Sequence, residues 1–383
     1  MTSSSCSCAQ IATQAYPIWG ESIFLPTEDG KSRRHLQVLE PSQQQFADAC
    51  LLIVHGMNEH SGRYEDIARH FAERYRVAGI DMTAHGLSNE VFLKAHHSIA
   101  SSAPEYDVSS AYLEQSQVRN LDTMRSDIRN ALIYLTEHCN RPDGGKLPLF
   151  ILSHSLGSLV SASYLLDAKN DTAARQIKGI IFTGPAFSGT KVPGWRGWFQ
   201  NPLIRFTFHT QEHFLNPHDE AFPLMLLNQF LALLAVPLQN GLIEFLSLPG
   251  MRNLFSPSSP DWVADYLSDW EEEKIRHQSD KYIMHRSILR YVQGVQKEII
   301  QFRSKMDGFD LPYLLIYSEH DPITAAWGNI EFAAVTLGKH ADNEVMALSG
   351  ASHHEQLFSE PKRRKEILQR IDQWLIRRIE HAN

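Results

Sequence analysis

The stretch Phe150-Ile151-Leu152-Ser153-His154-Ser155-Leu156-Gly157-Ser158-Leu159-Val160 reads as a short buried strand that turns sharply at Ser155 and continues as a helix. A tight strand-to-helix turn lifts a serine hydroxyl clear of a sheet and aims the helix N-terminus at the reacting group, which suits a nucleophile. The usual pattern is G-x-S-x-G, and here Ser153 stands in the place of the first glycine. An ordinary strand–turn–helix with an incidental serine gives a similar string, so the flanking sequence has to decide.

Working outward, apolar strands alternate with helical patterns. Glu21–Glu40 reads as a hairpin turning at Glu28-Asp29-Gly30, and Cys50–Val54 as a strand buried on both faces and ending in His55-Gly56. Tyr64–Tyr75 has helical spacing, Arg76–Ile80 is a strand ending at Asp81, and Leu121–Cys139 is an amphipathic helix. Asn89–Arg119 is polar and Ser-rich, a long loop with one short helix at most. A further strand spans Ile177–Thr183. After a helical block, alternation resumes with a strand at Leu311–Tyr317, a helix at Ala326–Leu337, a strand at Glu344–Leu348 and a C-terminal helix.

Such alternation implies an α/β fold: a mostly parallel central sheet with helices on both faces, joined by right-handed crossovers. The predicted organisation is a core over residues 1–186 with a loose N-terminal tail, an inserted helical cap over 187–310, and the rest of the core over 311–383. Ligands in such sheets bind outside the carboxyl ends of the strands, so the insertion roofs the site.

Composition narrows the class. The 383 residues carry 43% hydrophobic and 21% charged side chains with a formal net charge of −8, which fits a large globular core and argues against a nucleic-acid partner. Lys362-Arg363-Arg364-Lys365 sits in an amphipathic pattern, as a solvated helix face does. Cys50 and Cys139 read as small buried hydrophobes, Cys6-Ser7-Cys8 lacks metal-ligand company, and four cysteines in all suggest a reducing, cytoplasmic compartment. No secretory signal is evident, and no segment has the ~20 uninterrupted apolar residues of a membrane span.

The chemistry gathers at strand ends. A serine hydroxyl needs a histidine to take its proton and a carboxylate to orient that histidine. Ser155 is the candidate nucleophile. Asp321, just past a strand end and followed by Pro322, is the candidate acid ahead of Glu319. His353 and His354 follow the last strand through Leu348-Ser349-Gly350-Ala351. The order Ser, Asp, His is that of α/β-hydrolases. The amides of Met57, after His55-Gly56, and Leu156, at the helix N-terminus, are candidate oxyanion donors.

His55-Gly56-Met57-Asn58-Glu59-His60-Ser61-Gly62-Arg63-Tyr64 resembles the HGxGEHxxRY signature of monoglyceride lipases and related bacterial lysophospholipases, and Asp81–Ser88 resembles that family's DxxGHGxS. The resemblance implies the α/β-hydrolase fold, Ser155, Asp321 and His353 as triad, and Met57 and Leu156 as oxyanion hole. Asn58, Ala84 and Ser153 replace family glycines. Spacing from Gly350 selects His353, whereas adjacency to Glu355 selects His354; the spacing is followed here. The implied substrate is a small lipid ester with one acyl chain, such as a monoacylglycerol or lysophospholipid, and no metal or cofactor is implied. Leu224–Leu238 with Trp195, Trp198 and Phe199 either forms the insertion's own core, lines an acyl tunnel, or touches a membrane surface. Two other readings stay open: an acyltransferase using the same triad, and a non-catalytic lipid-binding module. Oligomeric state is not encoded legibly.

Overall fold

A computed structural model describes residues 15–42, 46–100, 111–169, 171–217, 221–255 and 261–382. The Ser-rich N-terminus with Cys6 and Cys8, and part of the polar 89–119 segment, lie outside them. Eight strands form one sheet: β1 (Glu21–Pro26), β2 (Arg33–Leu39), β3 (Cys50–Val54), β4 (Arg76–Ile80), β5 (Leu149–His154), β6 (Ile177–Thr183), β7 (Tyr313–Ser318) and β8 (Glu344–Leu348). Their order is β1-β2-β4-β3-β5-β6-β7-β8, antiparallel through the β1–β2–β4 edge and parallel from β4 to β8. The central strands β3, β5 and β7 are buried at every position, which is why their sequences are unbroken apolar runs rather than alternating ones.

Two apolar layers cover the sheet. One includes Leu52, Ile151 and Phe182 and packs beneath the helices Asp122–His138, Ser155–Asp167, Leu289–Arg303 and Ala326–Thr336. The other includes Leu51, Phe150 and Trp374 and packs beneath Glu65–Phe71 and Pro361–Ala382. The fold is that expected: an α/β-hydrolase architecture. The main elements of the described part of residues 187–310 are helices joined by irregular segments, but Leu289–Arg303 belongs to the sheet-covering layer, with Phe302 stacked on Phe187 at 4.6 Å.

One local expectation becomes specific and two change. The one short helix allowed in the polar segment is Glu90–Ala100, an 11-residue helix with Val91, Phe92 and Ala95 as buried positions. Phe222–Leu246 runs as one helix through Pro237, where the sequence reading ended it, and by length and mean hydropathy of 1.6 it is able to span a membrane despite its interrupting Asn and Gln residues. Cys50 and Cys139 are joined in a disulfide rather than lying as free buried thiols. The bond ties the start of β3 to the end of the Asp122–His138 helix.

Candidate active site

The elbow forms as its sequence requires. Ser155 has φ +49°, in the left-handed region, directly between β5 and its helix. Crowding explains the small neighbours: a Cβ on Gly157 would lie 2.3 Å from the His55 carbonyl oxygen. Ser153 fits where the glycine pattern is broken, because its buried hydroxyl donates to the Ile181 carbonyl at 3.1 Å. The other two replaced glycines keep the glycine conformation, with φ +67° at Asn58 and +72° at Ala84. Asn tolerates that region, whereas Ala84 pays about 1 kcal/mol or more for its Cβ.

Asp321, on the turn after β7, and His354, beyond β8, meet the serine. His354 Nε2 lies 2.8 Å from Ser155 Oγ, and His354 Nδ1 lies 2.8 Å from Asp321 Oδ2. All three are buried. Asp321 also accepts from the Ile323 and Thr324 amides and the Thr324 hydroxyl. Burial pushes its carboxyl up, but the His354 charge and these bonds outweigh that and hold it below the usual range. Burial pushes the His354 imidazole down, while Asp321, Glu355 and Glu59 pull harder and leave it raised.

The structure corrects the choice of histidine. His353 turns away: its Nε2 lies 3.0 Å from Ser359 Oγ, beside Arg363. Successive side chains in a loop point apart, and backbone pairing fixes which one faces inward. The His354 amide donates to the Tyr266 carbonyl at 2.6 Å and the Glu355 amide to Leu267 at 2.7 Å. Glu319, the competing acid, is exposed and accepts from the Gly350 amide at the turn.

Met57 and Leu156 both line the cavity at Ser155. Leu156 occupies the first turn of its helix, where an N–H has no intrahelical acceptor. The Met57 loop is pinned from both sides. The Gly56 amide donates to Glu59 Oε1 at 2.5 Å, and the Asn58 amide to His85 Nε2 at 3.1 Å. That second bond needs a neutral His85, which burial secures by lowering its pKa to about 4. Asn58 further reaches the inserted region, its amide donating to Ser287 Oγ at 2.8 Å.

A group that sequence reading did not single out ties these pieces together. The buried Arg63 guanidinium holds Glu355 through two bonds, at 2.9 and 3.0 Å, Glu59 at 2.6 Å, and Glu273 of the inserted region at 2.9 Å. Burial raises the Glu355 carboxyl, but Arg63 overrides it and brings the pKa to about 2. Burial keeps Glu59 and Glu273 above the usual range despite Arg63. One cation thus links the Met57 loop, the His354 loop and the insertion. Arg63 lay within the quoted signature, but its carboxylate partners lie up to 292 residues from it in sequence.

The cavity above Ser155 holds about 490 Å³, within the range of ligand pockets, and its walls carry no charged side chain. Val192, Ile204, Phe208, Val292, Val295 and Ile299 are among its apolar lining residues.

Sheet order, elbow and hydrogen-bonded Ser–His–Asp chain together define an α/β-hydrolase. The chain belongs to the Hydrolase_4 family, described as serine aminopeptidase, S33, whose profile matches residues 45–362. Among solved structures it is similar to a soluble variant of monoglyceride lipase from Saccharomyces cerevisiae in complex with a substrate analog (TM-score 0.65, 13% identity, 95% of this chain and 97% of that one). It is similar also to a monoacylglycerol lipase of Paleococcus ferrophilus (0.57, 18%, 90% and 99%) and a carboxyl esterase of Bacillus coagulans in complex with glycerol (0.58, 16%, 94% and 98%). No sequence among curated proteins matches it.

Proposed function

We propose that this chain hydrolyses carboxylic esters of lipids with a single acyl chain, with Ser155, His354 and Asp321 as its triad. The observation that carries the reading is the two-link hydrogen-bonded chain from Asp321 through His354 to Ser155 at the floor of an uncharged cavity. Ser155 Oγ attacks the ester carbonyl while His354 Nε2 takes its proton, and Asp321 stabilises the imidazolium that forms. The Met57 and Leu156 amides receive the developing oxyanion. His354 then protonates the departing alcohol, and water, deprotonated by the same imidazole, releases the fatty acid from Ser155. The names of the structurally similar lipases and esterase support the ester chemistry.

The lipid nature of the substrate draws support from the Phe222–Leu246 helix. Its buried positions are Asn228, Ala232 and Val236, while Phe222, Leu227, Phe230, Leu233, Leu234 and Leu238 face outward. Inward, Asn228 meets His213, Gln239 meets Thr210, and Asn240 accepts from Gln293. This helix is amphipathic inside out. Leu203 and Phe206 are exposed too, on the helix packed against it, whose Ile204 and Phe208 wall the cavity. A lipid surface is the proposed contact.

A fluorophosphonate probe tests the nucleophile. Wild-type protein should be labelled and Ser155→Ala should not, with p-nitrophenyl ester turnover falling on the order of a million-fold. A module that only binds lipid takes no label, and an acyltransferase gives transfer in preference to hydrolysis when an acceptor alcohol is supplied.

A further inference from the structure

Beside the Ser155 cavity lies a second cleft of about 480 Å³, and the two share Gly189, Thr190, Ile204 and Phe208 as a common wall. Their chemistry differs. The first is lined by no charged residue, whereas the second is lined by Lys191, Arg205 and Arg303, with His209 and a single acid, Glu212. That is a concentration of positive charge in a chain whose net charge is −8.

Lys191 and Arg205 are exposed and have no ion-pair partner among the described residues. Arg303 lies 4.3 Å over the Trp327 ring and pairs with Glu331 through Nη2, while its Nε and Nη1 lack hydrogen-bond partners among the described residues. The cleft is held close to the reacting groups. The Lys191 amide donates to the Pro322 carbonyl at 2.8 Å and the Thr190 hydroxyl to Ile323 at 3.1 Å, so its rim is bonded to the turn that carries Asp321.

We propose that this cleft receives the phosphate of a lysophospholipid whose ester carbonyl lies at Ser155 and whose acyl chain fills the uncharged cavity. The inference rests on the proposed ester hydrolysis and narrows it to substrates with an anionic head group. An uncharged slot beside a cleft with two unpaired cations, Lys191 and Arg205, matches an amphiphile whose apolar chain and phosphate are separated by a glycerol. A monoacylglycerol offers those cations hydroxyl oxygens but no opposite charge. Arginine pairs bidentately with phosphate oxygens, and lysine adds a point charge.

The test compares kcat/KM for a decanoyl lysophosphatidylglycerol and the matching decanoyl glycerol, both kept monomeric so that surface binding does not enter. In Lys191→Glu/Arg205→Glu, the ratio of the first to the second should fall by at least about tenfold, chiefly through KM of the phosphate-bearing substrate. An unchanged ratio overturns the assignment. So does inorganic phosphate competing equally against both substrates with no change in ratio, which marks a free-anion site. Wild-type protein that turns over decanoyl glycerol and takes the fluorophosphonate label, yet shows no charge-dependent ratio, removes the head-group site alone. Failure of labelling and of both substrates removes the ester-hydrolase reading with it.

Discussion

His353 and His354 sit side by side, and only one ring reaches the serine. Replacing His354 with alanine should lower kcat on the order of 10⁵-fold, while His353→Ala stays within about tenfold. Steady-state kinetics of the two variants on one p-nitrophenyl ester decides it, and reversed magnitudes would falsify the geometry. The pH profile follows from the same ring. His354 acts as base only when neutral, and its folded pKa is raised, so kcat/KM should climb with pH through a midpoint above the ordinary ~6.5. The groups facing it are Asp321, Glu355 and Glu59, which raise the midpoint, and neutral His154, whose ring lies 4.8 Å away. Glu355→Gln removes a negative charge and leaves Arg63 less compensated, so the midpoint should move to lower pH; a shift upward contradicts this arrangement. Ser155 and Asp321 were legible because each sits at a strand end in a fixed order. The histidine was not, since one residue of difference in a loop reverses which side chain points inward, and no periodicity records it. Adjacency to Glu355 was the one local sign in favour of His354.

At the level of elements, the buried strands were the most legible part, because a strand covered on both faces must be continuously apolar. The Glu90–Ala100 helix was allowed for but not placed: its buried Val91, Phe92 and Ala95 do follow a helical spacing, but Lys94, His96, His97 and Ser98 dilute it. The disulfide was invisible for another reason. Its cysteines are 89 residues apart and become neighbours only once β3 and the Asp122–His138 helix pack together. Closing a loop of that length restricts the unfolded chain by up to about 4–5 kcal/mol in the chain-entropy account. The Cys50→Ala/Cys139→Ala variant should therefore unfold at distinctly lower denaturant concentration. Equal midpoints for that variant and the oxidised wild type would mean that the cross-link contributes nothing.

Taken whole, the molecule joins a core whose class was plain from strand order to an insertion whose helices were recognised but not oriented. Leucine-rich sequence in 222–246 announces burial, yet only packing reveals whether it is buried in protein. Here its sparse amides turn inward and its hydrocarbon outward. The protein should therefore co-sediment with zwitterionic phosphatidylcholine vesicles. Replacing Leu227, Phe230, Leu234 and Leu238 with glutamine should abolish sedimentation while leaving fluorophosphonate labelling of Ser155 intact. Wild-type protein that stays in the supernatant, or a variant that still pellets, would point instead to a second copy or another partner covering this face.

That outward-facing helix also governs how the protein behaves in a test tube. Oily side chains on this scale cannot remain dispersed in plain buffer as concentration rises, so copies will shelter one another when no amphiphile is offered. Preparations made without detergent should therefore present a mixture of assemblies, an outcome that size-exclusion chromatography checks. Specific activity will then fall on concentrating the stock and recover on adding mild surfactant, a signature that belongs to the surface rather than to the catalytic groups.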